Sequence, residues 1–244
     1  MIAITFDVDW APDKIVTEVI SLLDEKGVPA TLFCTNYTKD ESGNSSNLSA
    51  LLHKRHELGL HPDFQFTNSY AGVWDEILAL YPDARGWRSH NGVTGWPIVK
   101  EGVGRGLQYE VISSVFSDYV SPSAVNGALK NYIAFTTAFW DSHRLHDRNF
   151  SWSSKNLPFQ QYFRDENNIV VLGFHPNIVY YDMRYADEYD GRKSSYHDVS
   201  EVDSYRHHSP GGAMKLLGEL LESVPAENFC TLSAFASRVR SGRE

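Results

Sequence analysis

Cysteine is scarce in this chain, with only Cys34 and Cys230 among 244 residues. The two lie far apart in apolar surroundings and read as buried, reduced thiols, which excludes a disulfide-stapled secreted module. No stretch approaches the roughly 20 apolar residues that a membrane helix needs. The amino end, MIAITF, reads as a strand and not as a secretory leader, so the expectation is a cytoplasmic protein with no membrane span. Basic runs are missing too. Against 31 Asp and Glu stand 22 Lys and Arg, a formal net charge of −9, which argues against nucleic acid or an anionic membrane as partner. No glycine-rich fingerprint follows the first apolar run, so a dinucleotide site is not indicated. Neither an internal repeat nor a linker divides the chain, and residues 1–244 read as one domain.

Aromatic residues, by contrast, are plentiful: 6 Trp, 13 Tyr and 13 Phe. Tyr180, Tyr181, Tyr185, Tyr189 and Tyr196 fall in polar surroundings, where they either stack on sugar rings or tuck against the body. Strand-like and helix-like segments alternate along the first hundred residues. IAITF is followed by a helix whose Ile15, Val19, Leu22 and Leu23 recur at helical spacing, opened by Pro12 and Asp13 and closed by Gly27. PATLFCT, LGLH and ARGWRSH read as further strands, with helices over LSALLHKRHE and AGVWDEILALYP between them. EVISSVF, IAFTTAF and NIVVLGF are rich enough in β-branched and aromatic residues to be strands. GGAMKLLGELLESV reads as a late amphipathic helix and FCTL as a last strand. Such alternation implies a parallel sheet covered by helices, either a barrel or an open doubly wound sheet.

Polar residues gather at the ends of four of these strands: FDVD (Asp7, Asp9), LGLHPD (His61, Asp63), WRSH (Arg88, His90) and LGFHPN (His175). In the first three the spacing is i, i+2, which on an extended strand puts both side chains on one face. Parallel strands would therefore aim these pairs into one mouth, where both candidate folds place their sites. Two adjacent carboxylates at a buried strand end are costly unless a cation or a basic group faces them. Asp9 with His61 and His90 is a nitrogen and oxygen donor set that zinc or a similar divalent ion accepts with a position left for water. Arg88 is the natural partner of the remaining carboxylate. Metal-polarised water, a carboxylate base and a histidine acid together make metal-assisted hydrolysis. His143 with His146, and His207 with His208, lack a matching carboxylate and read as solvated loop histidines, while His53 and His56 read as water-facing on a basic helix. Residues 177–210 form a long polar stretch with the character of a lid, in which Arg206 or His197 could touch substrate.

These motifs resemble those of the polysaccharide deacetylase (NodB-homology) superfamily, in particular its divergent branch associated with surface-polysaccharide biosynthesis. TFDVDW stands where that family carries its first motif, ELGLHPDF its second, GWRSHNG its third, FWDSH its fourth and LGFHPN its last, all in family order. The resemblance implies a distorted (β/α)7-type barrel, a Zn2+ or similar divalent cofactor, and hydrolytic removal of an acetyl group from an N-acetylated amino sugar. Carried over, it makes Asp7 the general base, Arg88 its orienting partner, Asp9 and His61 metal ligands, and His175 the general acid, with Asp141 pairing with His175 or Arg88. Two departures matter. The family's adjacent aspartates are here split by Val8, which leaves open which is base and which ligand. Its second motif histidine is here Gln65, so the third ligand is His90, Asp63 or water, of which His90 is the better zinc donor. Gln65 also motivates an alternative, a catalytically silent sugar-binding accessory protein of the same fold; hydrolysis of another C–N or ester bond is a third reading.

Overall fold

The computed structural model describes residues 1–9, 11–35, 48, 55–113, 132–158, 160–163, 168–192 and 211–241. Seven strands pair in sequence order: β1 (Ile2–Val8), β2 (Ala30–Cys34), β3 (Glu57–Leu60), β4 (Gly86–Trp87), β5 (Tyr109–Ser113), β6 (Ile133–Trp140) and β7 (Val170–Phe174). All neighbours are parallel, and β7 returns to β1 to close a barrel. The helices are α1 (Asp13–Glu25), α2 (Tyr70–Leu80), α3 (Trp96–Gly104), α4 (Asp141–Arg144), α5 (Pro176–Tyr180), α6 (Ala186–Arg192), α7 (Ala213–Ser223) and α8 (Leu232–Ser241).

Strand alternation divides the core in two. In β1, Ile2, Ile4, Phe6 and Val8 belong to the large outer layer beneath the helices, while Ala3 belongs to the barrel interior. Thr5 and Asp7 share the side of Ala3, so the strand's polar residues appear only on the inner face and near its carboxyl end. α1 follows the same logic: Ile15, Val16, Val19, Ile20 and Leu23 form its buried stripe. The chain leaves that helix through Gly27 at φ +70°, a conformation that favours glycine.

The interior fills with aromatic rings laid over glycines of the next strand. Phe33 pairs with Gly59, and Trp140 with Gly173. A Cβ on Gly59 would stand 2.6 Å from the Phe33 ring, and one on Gly173 would stand 2.9 Å from the Trp140 ring. Each ring thus occupies the space a side chain opposite would need. In β6 the register shifts between Thr137 and Phe139. The extra residue turns Phe139 outward beside Leu172 and brings Trp140 inward.

At the amino-terminal end of the barrel, Glu57 accepts from Tyr109 Oη (2.7 Å), Thr31 Oγ1 (2.9 Å) and the Ser233 amide (2.9 Å). Thr31 Oγ1 also accepts from the Leu232 amide. Two of the amides left free at the start of α8 are therefore satisfied from inside the barrel.

Several expectations are corrected. FCTL is no strand: Phe229 makes an isolated bridge to Ile2, and α8 begins at Leu232. The stretch after His175 is not one long loop, since 176–192 contains α5 and α6; its remainder, with Tyr196, His197, Arg206, His207 and His208, lies outside the described residues, as does His53. Tyr180 and Tyr181 are 1% and 2% exposed, buried in the outer core and unavailable for stacking on a sugar. His56 turns its ring inward, with Nε2 3.2 Å from Asp24 Oδ1 and Nδ1 accepting from the Ala30 amide. Most of LSALLHKRHE lies outside the described residues, and its last residue, Glu57, begins β3. Cys34 and Cys230 are free thiols, the first buried and the second half-buried.

Candidate active site

Four strand ends meet in one cluster. Asp7 ends the inner face of β1, and Asp9 follows two residues later on the same side, since Val8 packs outward in the helix layer. Both carboxylates are buried. Asp7 Oδ1 accepts from Arg88 Nη1 at 2.8 Å. The other nitrogen of the fork, Nη2, donates to Thr5 Oγ1 at 2.9 Å and Thr137 Oγ1 at 3.3 Å. The guanidinium lies between two aromatic faces, 4.5 Å from the Phe33 ring centroid and 4.5 Å from that of Trp140. A planar, always charged group sandwiched between rings and bonded along one edge has a single orientation, and that orientation aims it at Asp7.

Asp9 faces the histidines. Its Oδ1 lies 3.1 Å from His61 Nε2 and 3.2 Å from His90 Nδ1, while those two nitrogens are 3.3 Å apart. His61 Nδ1–H donates to the Arg88 carbonyl at 2.7 Å, which leaves Nε2 with its lone pair turned toward Asp9. No hydrogen bond of acceptable geometry reaches Asp9 Oδ1, although the atom is fully buried. Asp9 Oδ1, His61 Nε2 and His90 Nδ1 thus face one another across about 3 Å, an arrangement that needs a proton or a cation between them. Tetrahedral nitrogen and oxygen ligands at about 2.0–2.1 Å from zinc stand roughly 3.3 Å apart. The donor set, the orphaned carboxylate oxygen and the spacing all fit a divalent cation. Burial pushes the Asp9 carboxyl up, but the two imidazoles beside it and the charges of His61 and His175 pull harder and hold it well below the usual carboxylate range. For His61 burial works downward and is outweighed by the charge of Asp7 and by Asp9, so its pKa is raised; a proton there takes the place a cation would fill.

His175 ends β7. Its ring Nδ1 is 2.7 Å from Asp141 Oδ1, its amide donates to Asp141 Oδ2 at 2.7 Å, and its Nε2 stands 3.8 Å from Asp9 Oδ2. Burial by itself would lower this histidine, yet the charge and hydrogen bond of Asp141, joined by Asp9 and Asp7, raise it to about 9. Asp141 is fully buried and pairs with His175, not with Arg88. Trp140 lies between the two halves of the cluster, its ring centroid 5.8 Å from that of His175.

Among the described residues, every residue proposed for the catalytic or metal site except Asp63 enters the cluster. β3 ends at Leu60, so the i, i+2 relation to His61 lapses, and Asp63 Oδ1 instead accepts from the Gln65 amide in a local turn. His90 arrives through a short 3₁₀ turn whose Asn91 has φ 55°. Gln65, where the resembling family has a histidine, accepts from Asn91 Nδ2 at 3.1 Å and so braces that turn. Thr5, Phe33 and Thr137 escape a reading of the sequence because they are ordinary strand residues; only the closed barrel brings them round Arg88. Tyr189, on α6, is also near: after burial, the charges of Asp9 and Asp141 are the main causes that raise its phenol. His143 and His146 are exposed, as expected.

Comparison with known proteins places the chain by family and fold. The family described as "WbmS-like: Polysaccharide deacetylase" matches residues 4–193. No curated protein matches the chain. Among solved structures, a protein assigned as a polysaccharide deacetylase involved in O-antigen biosynthesis, WbmS of Bordetella bronchiseptica, superposes with a TM-score of 0.74 at 24% identity, over 91% of this chain and 90% of that one. A protein assigned as a polysaccharide deacetylase from Mycobacterium smegmatis gives a TM-score of 0.50 at 16% identity, over 94% and 91%. A family 4 acetyl xylan esterase from Clostridium thermocellum, solved with a cobalt ion, gives 0.50 at 13%, over 97% and 90%.

Proposed function

The chain belongs to the WbmS-like polysaccharide deacetylase family, and from that premise we propose that it removes the acetyl group of an N-acetylated amino sugar by metal-assisted hydrolysis. The observation that carries the proposal is the buried, unbonded Asp9 Oδ1 facing two imidazole nitrogens beside a carboxylate clamped by Arg88. Asp9, His61 and His90 would hold the cation. When bound, that ion supplies Lewis acidity, activating water and polarising the acyl oxygen.

The remaining steps fall to the chain's own groups. Arg88 holds the Asp7 carboxylate in place, and Asp7 takes the proton as water oxygen bonds to the acetyl carbon. Asp141 holds the His175 ring by Nδ1, so that Nε2–H points toward the cluster and is protonated at neutral pH. His175 then gives that proton to the nitrogen as the C–N bond breaks, releasing acetate and the free amine. Within this reading Asp7 is the base and Asp9 the ligand: Arg88 engages Asp7, while the two imidazoles face Asp9. Polysaccharide biosynthesis is the setting this reading favours, as described for the O-antigen protein that the chain resembles.

Zinc-loaded protein should release acetate from N-acetylated amino sugars, and chelator-stripped protein should not. Asp7→Asn should lower kcat by about 10²–10⁴-fold while zinc still binds. Undiminished turnover in stripped protein would remove the metal from the scheme. Sugar binding and zinc binding without acetate release from a substrate panel would favour the accessory reading.

A further inference from the structure

Among the described residues, four large apolar side chains are exposed: Phe66 (87%), Trp96 (56%), Tyr70 (39%) and Ile112 (38%). Single exposed apolar residues are ordinary. Three of the four, Phe66, Tyr70 and Trp96, are not scattered. Phe66 stands on the loop after β3, the loop that begins with His61, and Tyr70 opens α2 at the end of that loop. Trp96 opens α3 at the end of the loop that carries His90. In a parallel barrel both loops lie at the carboxyl-terminal mouth. They are joined there, since the His90 amide donates to the Pro62 carbonyl at 2.9 Å and Asn91 Nδ2 donates to Gln65 Oε1 at 3.1 Å. The turn closed by Asp63 and the Gln65 amide throws Phe66 outward.

Composition points to the occupant. Residues 64–74 and 91–99 contain no Asp, Glu, Lys or Arg, in a chain in which 22% of residues are charged. The same two loops offer exposed neutral hydrogen-bonding groups, Gln65, Asn68 and Asn91. Flat apolar faces among neutral amides suit a neutral sugar ring, which has an apolar C–H face and a hydroxyl edge. Neither segment carries a Lys or Arg of its own to meet a pyrophosphate.

Resting on the reading of the site given above, we propose that Phe66 and Trp96 form a stacking rim for a sugar ring adjoining the one that is deacetylated, so that the substrate is a neutral oligosaccharide and not a nucleotide-linked monosaccharide. The test compares acetate release from a β-1,4-linked N-acetylglucosamine trimer and from the monomer. Wild-type protein should prefer the trimer in kcat/KM, and Phe66→Ser and Trp96→Ser should each lower the trimer-to-monomer ratio by roughly 3- to 10-fold, mainly through KM. Both residues are exposed, and thermal melts check that the variants fold. As a readout independent of turnover, calorimetric binding of the trimer to the Asp7→Asn protein should weaken by a similar factor when either change is added. Equal use of trimer and monomer by wild type, or a loss that falls on both alike, overturns the rim. Acetate release from neither, with zinc bound, overturns the deacetylase reading itself and the rim with it.

Discussion

Arg88 is 1% exposed, yet its charge is met by one carboxylate, two hydroxyls and two aromatic faces. A buried guanidinium so enclosed cannot follow Asp7 if Asp7 moves, so the pair works as one rigid unit. His175 is set by different means. Burial would lower it, and Asp141 more than compensates, placing it at about 9. Since the protonated form donates, the alkaline limb of kcat/KM should lie at or below pH 9, because a cation on Asp9 would remove part of the raising influence. Asp141→Asn should carry that limb toward lower pH, checked by a pH–rate profile. The sign for stability follows: with the folded pKa above the ordinary 6.5, the contribution is complete below about pH 6.5 and is lost as pH rises through about 9. His90→Ala should reduce zinc affinity by at least about 10–100-fold, read by titration with a metal indicator, since a lost ligand costs no less than a lost outer partner.

Gly59 on β3 and Gly173 on β7 shape the site without contributing a reacting atom. Gly59 and Gly173 leave room for the two rings that hold Arg88. Adding a Cβ at Gly59 would force Phe33 to move, because the atom would stand 2.6 Å from the ring. Gly59→Ala should therefore destabilise the fold by about 1–3 kcal/mol, measured by denaturant melts, and lower kcat more than zinc affinity as the guanidinium loses one face. The irregularity in β6 acts alike. Were β6 to alternate regularly through Thr137, Ala138 and Phe139, the Trp140 ring would face out of the barrel and away from Arg88 and His175.

Across the whole molecule the two ends of the barrel divide their tasks. The carboxyl-terminal mouth collects Asp7, Asp9, His61, Arg88, His90, Asp141 and His175, whereas the amino-terminal end is closed by Glu57, Thr31, Tyr109 and the start of α8. Burial pushes the Glu57 carboxyl up against the hydrogen bonds from Ser233, Tyr109 and Thr31. Glu57→Ala would strand those donors, and should cost roughly 3 kcal/mol of stability while leaving zinc affinity unchanged, which melts and metal titration would separate. Among the described residues no helix is long and apolar enough to cross a membrane.

What the sequence determined by itself is what short-range chemistry writes into it. Alternation of apolar residues marked the strands and helices, and the polar residues that interrupt each strand's carboxyl end marked the site, because a charge at a buried strand end needs a partner that only function explains. Asp7 and Asp9 share a face by strand geometry alone, with Val8 between them facing the helices. The tertiary structure decided the rest. A ring closed from seven strands brings Thr5, Phe33 and Thr137 around Arg88, residues that carry no signal of their own. Backbone turns beyond the strand ends, where period-two reasoning lapses, sent His90 into the cluster and Asp63 out of it. FCTL and His56 went astray for a related reason: whether a short apolar run pairs as a strand, or a histidine faces water, is settled by neighbours far away in sequence.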